Sequence, residues 1–430
     1  NTLPIPTKAF YNSGSWATLE DWESELKPYY SLAEKMLGST PTPIPGPADL
    51  ALQDLAKNEG KENEYSPTKV AVFFGQQGKT VKDPFFSGEG PDRAGCTFCG
   101  ACMTGCRENA KNTLDKNYLY LAEKKGLDVL TEKEVIDVIP IDESGAKGYT
   151  ILFKNATSFH KKIKDVESKG VIFSGGVLGS VKLLLHLKKK SLPNLSSRLG
   201  CDIRTNNESL IGIINDKNKE DFSKGVAIGS ILHTDENSHL EVVRYGKGSS
   251  FWRFTFAPLA YGNTLLNRLG NLIKNTLKKP FRIAKIALQW NFTTKNSILL
   301  FMQTLDSTLQ FKASGKGMRS SLQSGPKPSS FIPEAEDLAR KYAKIVDGEP
   351  FILSSEVVTG SPTTAHILGG CVIGADDTQG VINTDQKLFN YKNLWVVDGS
   401  AVSANPGVNP SLTITAMAER AMDKIPVKKD

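Results

Sequence analysis

An α/β fold interrupted by a sheet-rich α+β insertion is what this sequence predicts, and three observations predict it. A short apolar strand at 171–173 runs straight into Ser174-Gly175-Gly176 and a helical pattern over 181–187, the strand–turn–helix of an α/β unit. The chain closes in the same way: Leu394-Trp395-Val396-Val397-Asp398 is an apolar run of strand length, followed by a Gly/Pro-rich turn and a helix from Ser411. Between about 225 and 358 strand patterning dominates, at 226–232, 240–244, 250–256 and 297–305. One α/β domain built from separated segments, with a second domain inserted in it, accounts for all three.

The remaining elements follow in order. Leu19, Trp22, Leu26, Tyr29, Tyr30, Leu32, Ala33 and Leu37 recur close to a 3.6-residue period, so 19–37 reads as a helix, stopped by Gly38-Ser39-Thr40-Pro41. A second helix spans 48–58 and ends at Gly60. Residues 70–74 read as a strand and 75–92 as a Gly/Pro/Asp-rich loop. A helix is expected over 114–125, and short strands at 128–130, 135–141 and 149–153. Lys188, Lys189 and Lys190 follow the 181–187 helix, where its dipole favours cations. Residues 264–286 read as one helical insertion and 314–330, rich in Gly, Ser, Pro and Lys, as a loop. No internal repeat is present.

Composition excludes several classes. Of 430 residues, 39% are apolar and 23% charged, as in ordinary globular chains, so neither a disordered nor a fibrous protein fits. No apolar run approaches the ~18 residues of a membrane span. The net charge of +7 is too small to name a nucleic-acid partner. It is also concentrated: residues 264–286 hold Arg268, Lys274, Lys278, Lys279, Arg282 and Lys285 and no acid. With the apolar stripe Leu265, Leu269, Leu272, Ile273 and Leu277, that segment is either a solvated helix covering the insertion or a peripheral membrane contact.

Four local patterns can carry chemistry. Cys96-x-x-Cys99-x-x-Cys102-x-x-x-Cys106 has the ligand spacing of bacterial ferredoxins, with Arg107 in place of the usual Pro. Thiolates on so short a turn can converge on an iron–sulfur or other metal centre; free thiols or a disulfide pair are the plain alternatives. Clustered reduced thiols lean towards a cytoplasmic setting. Asn405-Pro406-Gly407-Val408-Asn409-Pro410-Ser411 precedes the last helix, with Asn409 a good N-cap and Pro410 suited to the first helical position. Such a helix start offers free amides to an anion or an electron-rich ring edge. His366, before Gly369-Gly370, is suited to moving a proton, although most lone histidines are structural. The turn at 174–180 is half a dinucleotide turn at most, because no G-x-G-x-x-G occurs anywhere in the chain.

Together these residues resemble the glucose–methanol–choline (GMC) flavin oxidoreductases, and within them the cholesterol oxidase branch. The resemblance is densest in His366-Ile367-Leu368-Gly369-Gly370-Cys371-Val372-Ile373-Gly374, in the run from Tyr391 through Ser400, in Gly407-Val408-Asn409-Pro410 and in Thr413 to Arg420. Weaker matches lie at 111–119 and 173–200, so about half the chain carries it clearly. It implies FAD as cofactor and oxidation of a bulky, sterol-like alcohol. His366 matches the residue that helps deprotonate the substrate hydroxyl, and Asn409 the residue facing flavin and substrate oxygen. Glu241 falls where sterol enzymes place a carboxylate that moves a proton during isomerisation. Val135, Gly399 and Ser411 match flavin contacts, and Asp398 and Gly175 belong to the same cofactor-facing turns. The domains so implied are 93–205 with 355–430 for FAD binding and 1–92 with 206–354 for substrate binding.

Two departures accompany the resemblance. The family's glycine fingerprint is missing and Asn1-Thr2-Leu3-Pro4 reads as the continuation after a flavin loop, so the chain is expected to lack its first nucleotide-binding unit and to bind FAD poorly on its own. The doubly wound FAD domain would then be incomplete. The second departure is the cysteine run, which favours a dehydrogenase handing electrons through a cluster to a redox partner over an oxidase using O2.

Overall fold

The computed structural model describes residues 2–159, 161–215, 217, 220–315, 317–323 and 328–427. Its largest sheet has seven strands in the order Phe256–Pro258, Glu349–Leu353, Ser209–Ile214, Asn296–Gln303, Ser238–Val243, Ile228–His233 and Tyr65–Pro67, every neighbour antiparallel. The two faces have different jobs. Residues 240 and 242, with Ile211, Ile213, Leu299 and Phe301, pack against the helices Pro47–Asn58 and Pro333–Ile345 through Leu52, Leu55, Leu338 and Tyr342. Because side chains alternate along a strand, His239, Glu241 and Val243 emerge on the other face, where Ile298, Leu300 and Met302 form a separate apolar cluster with Val243. That face looks towards the closing block of the chain.

A second core surrounds the parallel pair Leu394–Val396 and Val171–Phe173. The helix Gly176–Leu187 leaves the second of these strands. The terminal helix Ser411–Lys424 packs against Trp22–Leu37, whose start is capped by Asp21 accepting from the Ser24 amide and whose end is closed by Gly38 at φ 62°. Tyr30 and Thr413 hydroxyls meet at 3.0 Å between these helices, and Arg420 donates to Glu25 at 2.8 Å while lying over the Trp22 ring. Lys133–Pro140, Tyr149–Asn155 and Ile163–Ser168 form a separate three-stranded antiparallel sheet. The mixture of a parallel α/β core and a large antiparallel sheet is the expected fold class.

The sheet is bolted to its helical cover by a buried ion pair. Arg244 reaches Asp49 at 2.7 Å with both side chains almost wholly buried, and Asp49 also accepts from the Gly46 amide and the Ser230 hydroxyl. Asp49 thereby closes the start of Pro47–Asn58 and ties it to the sheet.

Several expected elements are different in the structure. The expected strand at 250–256 is a 3-10 helix over Ser250–Thr255, with only Phe256 in a strand, because Trp252 packs inward while Phe251 and Phe254 point out, a three-residue rather than two-residue rhythm. No strand forms at 128–130. The 114–125 helix is a 3-10 turn, Leu114–Lys116, and a helix, Tyr118–Lys124, broken at Asn117. Residues 264–286 make two helices, Leu265–Lys278 and Pro280–Ala287, since Pro280 cannot donate to the first and starts the second. The expected 314–330 loop begins as a hairpin of Leu309–Ser314 and Gly317–Leu322, with 316 and 324–327 outside the described residues. The expected strand at 70–74 is the short Lys69–Ala71.

Candidate active site

The site forms where the polar face of the large sheet meets the closing block. The join is made by asparagines: Asn206 donates to the Val408 carbonyl at 2.7 Å, and Asn405 donates to the carbonyls of Gln303 and Leu305 at 3.0 and 2.9 Å. These bonds fix the 405–409 turn against the end of the Asn296–Gln303 strand. His366, Asn409 and Glu241 are thereby brought together from three distant parts of the chain.

Asn409 stands between the other two. With its NH2 turned to Glu241 it donates to Oε1 at 2.7 Å and Oε2 at 3.3 Å, and its other terminal atom then lies 3.5 Å from His366 Nε2. Asn409 does not cap the last helix as its position predicted. The cap position is Pro410, which has no side-chain hydrogen bond to offer, and the helix starts at Ser411. Moving the helix start by one residue has two consequences. It frees the Asn409 side chain for the site, and it leaves the amides of Ser411, Leu412 and Thr413 without an acceptor among the described residues.

Burial pushes the Glu241 carboxyl up to about 7, because a charge there has no water, although His366 and the Asn409 amide pull the other way. His239, two residues earlier on the same face, has its Nε2 3.8 Å from Glu241 Oε1. Burial holds its ring neutral, with its pKa pushed down to about 3 and the His233 and His366 rings adding to the effect.

A fourth residue, Glu208, was not anticipated. It is fully buried just before the Ser209–Ile214 strand, and its Oε1 lies 3.0 Å from His366 Nδ1, at an angle short of a well-aligned hydrogen bond. The Thr364 hydroxyl donates to Oε1 at 2.5 Å, the His366 amide to Oε1 at 3.2 Å and the Ala365 amide to Oε2 at 3.2 Å. Burial raises the Glu208 pKa, but His366 and these donors together bring it below its ordinary value, so the group is ionised. A carboxylate beside Nδ1 favours the proton there and leaves the Nε2 lone pair for an incoming hydroxyl. Glu208 also borders a cavity of about 490 Å³ lined by Thr205, Asn207, Ser320, Leu322 and the 360–364 turn, a volume usual for small-molecule sites.

The other expected cofactor residues lie in two places. Asp398 accepts from the Ser400 amide and hydroxyl at 2.8 and 2.5 Å and from the Ser180 hydroxyl, which in turn accepts from the Gly175 amide at 2.9 Å. Asp398, Gly399 and Gly175 are thus one connected pair of turns at the ends of the two parallel strands. Beside them Gly176, at φ 70°, and Gly179 have open space where a side chain would stand. Val135 is on the separate three-stranded sheet, half-exposed, beside a break in strand register.

Cys96, Cys99, Cys102 and Cys106 line one recess, together with Val72, Lys111 and Gly225. All four are free thiols, and the amides of Phe98 and Ala110 point at the sulfurs of Cys96 and Cys106 at 3.4 Å. Among the described residues no three His, Cys, Asp or Glu side chains converge as a single metal ion would require. Burial pushes the Cys96 thiol up to about 11 and raises Cys102 as well.

Comparison with known proteins agrees with this architecture. Two family models described as GMC oxidoreductase match residues 90–191 and 306–418. The chain is 42% identical over 443 residues to a cholesterol oxidase of Acinetobacter baumannii, covering 100% of this chain and 79% of that protein. It is 37% identical over 445 residues to a cholesterol oxidase of Mycobacterium tuberculosis (strain ATCC 25618 / H37Rv), covering 100% and 76%. Among solved structures, an FAD-dependent oxidoreductase from Chaetomium thermophilum superposes with TM-score 0.54 at 13% identity, over 98% of this chain and 83% of that one, a likeness of fold alone.

Proposed function

Because the chain belongs to the GMC oxidoreductase family, whose members use FAD, we propose that it oxidises a bulky apolar alcohol of the sterol class, with His366 as the base. The observation that carries this reading is the grouping of His366, Asn409, Glu208 and Glu241 beside an uncapped helix start. The relatives that cover the whole chain and are named cholesterol oxidase support the substrate class.

The residues present fit the cofactor. Three acceptor-free amides at Ser411–Thr413 form a positive edge suited to the electron-rich side of a flavin ring, and the linked turns at Gly175, Asp398 and Gly399 lie at the ends of parallel strands, where α/β folds bind nucleotides. Bound FAD supplies the hydride acceptor. His366 Nε2 accepts the hydroxyl proton as the C–H bond breaks. Glu208, ionised beside Nδ1, orients the ring and stabilises its cationic form. Asn409 positions the substrate oxygen. General-base help of this kind is worth about 10²–10⁴-fold, or roughly 3–5 kcal/mol of barrier. In the same reading Glu241 accepts a proton from the carbon between ketone and double bond and returns it to the far alkene carbon, giving the conjugated ketone. Replacing His366 by Ala in the flavin-loaded enzyme should cut turnover by about 10²–10⁴-fold while the flavin absorbance persists; undiminished turnover removes the assignment.

A second reading concerns the electron acceptor. O2 serves if the cysteines are idle. If the four thiolates hold an iron–sulfur cluster, the enzyme is a dehydrogenase working with a redox partner. The shared recess and the two amide-to-sulfur contacts support the cluster, whose ligands stand further apart than those of a single ion. Iron and acid-labile sulfide in anaerobically purified protein, lost in Cys99→Ser, are the expected result; their absence leaves a plain flavin oxidase.

A further inference from the structure

Glu241 is wholly buried, yet a row of titratable side chains runs from it to the edge of the large sheet. Leu232 and Leu240 are cross-strand partners on the face packed against the helices Pro47–Asn58 and Pro333–Ile345. Side chains alternate along a strand, so their neighbours share the opposite face, the face of the site. On it Glu241 and His239 are two residues apart on one strand, and His233 is the direct cross-strand partner of His239. The register continues outward. Leu232 pairs with Tyr65, so His233 comes opposite Glu64, just ahead of the edge strand Tyr65–Pro67.

Exposure rises along that row. Glu241 and His239 are buried, His233 is half-buried and Glu64 is exposed. His239 Nε2 is 3.8 Å from Glu241 Oε1, and the centroids of the His239 and His233 rings are 5.8 Å apart. The first gap is longer than a direct hydrogen bond; a small side-chain movement or one bridging water closes it. At the outer end Glu64 acts on the charge of His233, and Lys61 donates to the carbonyl of Thr234, the next residue.

Packing does not account for the two rings. On the other side of the Ser238–Val243 strand the same face carries Ile298, Leu300 and Met302, all apolar, and Met302 is the cross-strand partner of His239. An imidazole among such neighbours loses its water, and His239 Nε2 finds no hydrogen-bond partner among the described residues. That is the atom beside Glu241. Burial keeps the ring neutral. A neutral imidazole accepts on one nitrogen and donates from the other, so it passes a proton on without holding a charge.

We propose that His239 and His233 form a proton relay that joins Glu241 to solvent at the Glu64 edge of the sheet. The Glu241 O–H bond breaks and His239 Nε2 takes the proton. The proton on the other His239 nitrogen leaves to His233, and His233 passes one to water beside Glu64. The reverse sequence returns a proton to the carboxylate, and no charge stays on either ring. The relay lets Glu241 change between its acid and base forms while substrate occupies the site. The relay itself does not rest on the sterol reading; only the use made of the proton does.

The experiment is rapid mixing of the full, flavin-loaded protein into D2O near pH 6, where most of Glu241 is protonated. The infrared carbonyl band of its carboxyl, recognised as the one missing in Glu241→Gln, shifts as the proton is replaced by deuterium. His239→Phe fills the space of the ring and carries no proton, and it should slow that exchange by about 10²-fold, the lower end of what a positioned proton carrier contributes. His233→Gln, at a half-buried position, should slow it as well and serves if the first variant does not fold. Exchange as fast as in the wild type in either folded variant, or complete on mixing in all of them, overturns the proposal. Turnover in D2O of an alcohol with a neighbouring double bond gives a second readout. Through the relay solvent deuterium reaches the far carbon of the conjugated ketone, so the deuterium content of each product molecule should fall in both variants. A loss of packing alone would lower turnover and leave that content unchanged, and this result too overturns the relay. If the infrared exchange slows as expected and no conjugated ketone forms, the relay stands and the isomerisation reading falls.

Discussion

Glu241 gives the sharpest test of the site, because its environment makes stability depend on pH in a defined direction. The carboxyl is wholly buried and its pKa rises from 4.5 to about 7. The folded protein therefore binds this proton more tightly than the unfolded chain. Its contribution to stability is complete below pH 4.5 and is lost as pH rises through 7. A difference of about 2.5 pH units, at 1.36 kcal/mol per unit, makes that loss about 3 kcal/mol by pH 9. Glu241→Gln keeps the shape and an oxygen to accept from Asn409, but cannot ionise. The variant should match the wild type within about 1 kcal/mol at pH 5 and exceed it by up to about 3 kcal/mol at pH 9. Glu356, also raised to about 7 by burial, titrates in the same window, so the informative quantity is the difference between the two proteins, in which Glu356 cancels. Urea midpoints at pH 5, 6, 7, 8 and 9 provide it. A difference that stays constant across that range refutes the account of Glu241 as a carboxyl whose ionisation is resisted by a dry site.

Three further outcomes follow from neighbouring groups. His239 is held neutral, with its pKa near 3, so the unfolded chain takes up a proton below about 6.5 that the folded one refuses; stability should fall by about 3 kcal/mol between pH 6.5 and 4, and His239→Gln should flatten that acid arm in urea titrations. Asp49→Ala strands the buried Arg244 guanidinium and should cost about 3–5 kcal/mol in denaturant unfolding; a loss under about 1 kcal/mol would mean the pair holds little. Glu208→Gln should lower turnover by roughly 10²-fold or more with little change in KM, and should move the pH–rate profile; a KM effect alone would make Glu208 part of substrate binding instead.

How much of this could be read from the sequence depends on where each residue's constraint is recorded. His366 and Asn409 sit in short contiguous runs whose glycines and prolines are themselves required by the backbone: Gly370 at φ 97° lies against Ile203 and Val181, and Gly407 at φ 63° against Thr304. Such runs carry their own signature. Glu241 belongs to a strand buried on both faces, Ser-His-Leu-Glu-Val-Val, and only the family resemblance marked it. Glu208 has no signature. It is 158 residues from the His366 amide it accepts from, and the turn before it is irregular. One sign was present nonetheless: an acid directly ahead of the apolar run Ser209–Ile214 is costly to bury unless something answers it. The expected strand at 250–256 differs for a comparable reason: Trp252, Phe254 and Phe256 fit a period of two, while packing of Trp252 beside Phe292 selected a period of three.

The same reasoning explains why the site needs both cores. The closing block alone places His366, Asn409 and the free helix amides, but both carboxyl groups beside them come from the large sheet: Glu208 ahead of one strand and Glu241 within another. The sheet can present two acids only because its opposite face is buried under the helices Pro47–Asn58 and Pro333–Ile345, which leaves this face to carry polar groups against the closing block. Glu208 is answered by Thr364, Ala365 and His366 and ionises; Glu241 has only the Asn409 amide as a donor, beside the weaker pull of His366, and is about half protonated at neutral pH. Two carboxyl groups beside one histidine thus ionise at different pH, and the donors aimed at each decide which ionises first.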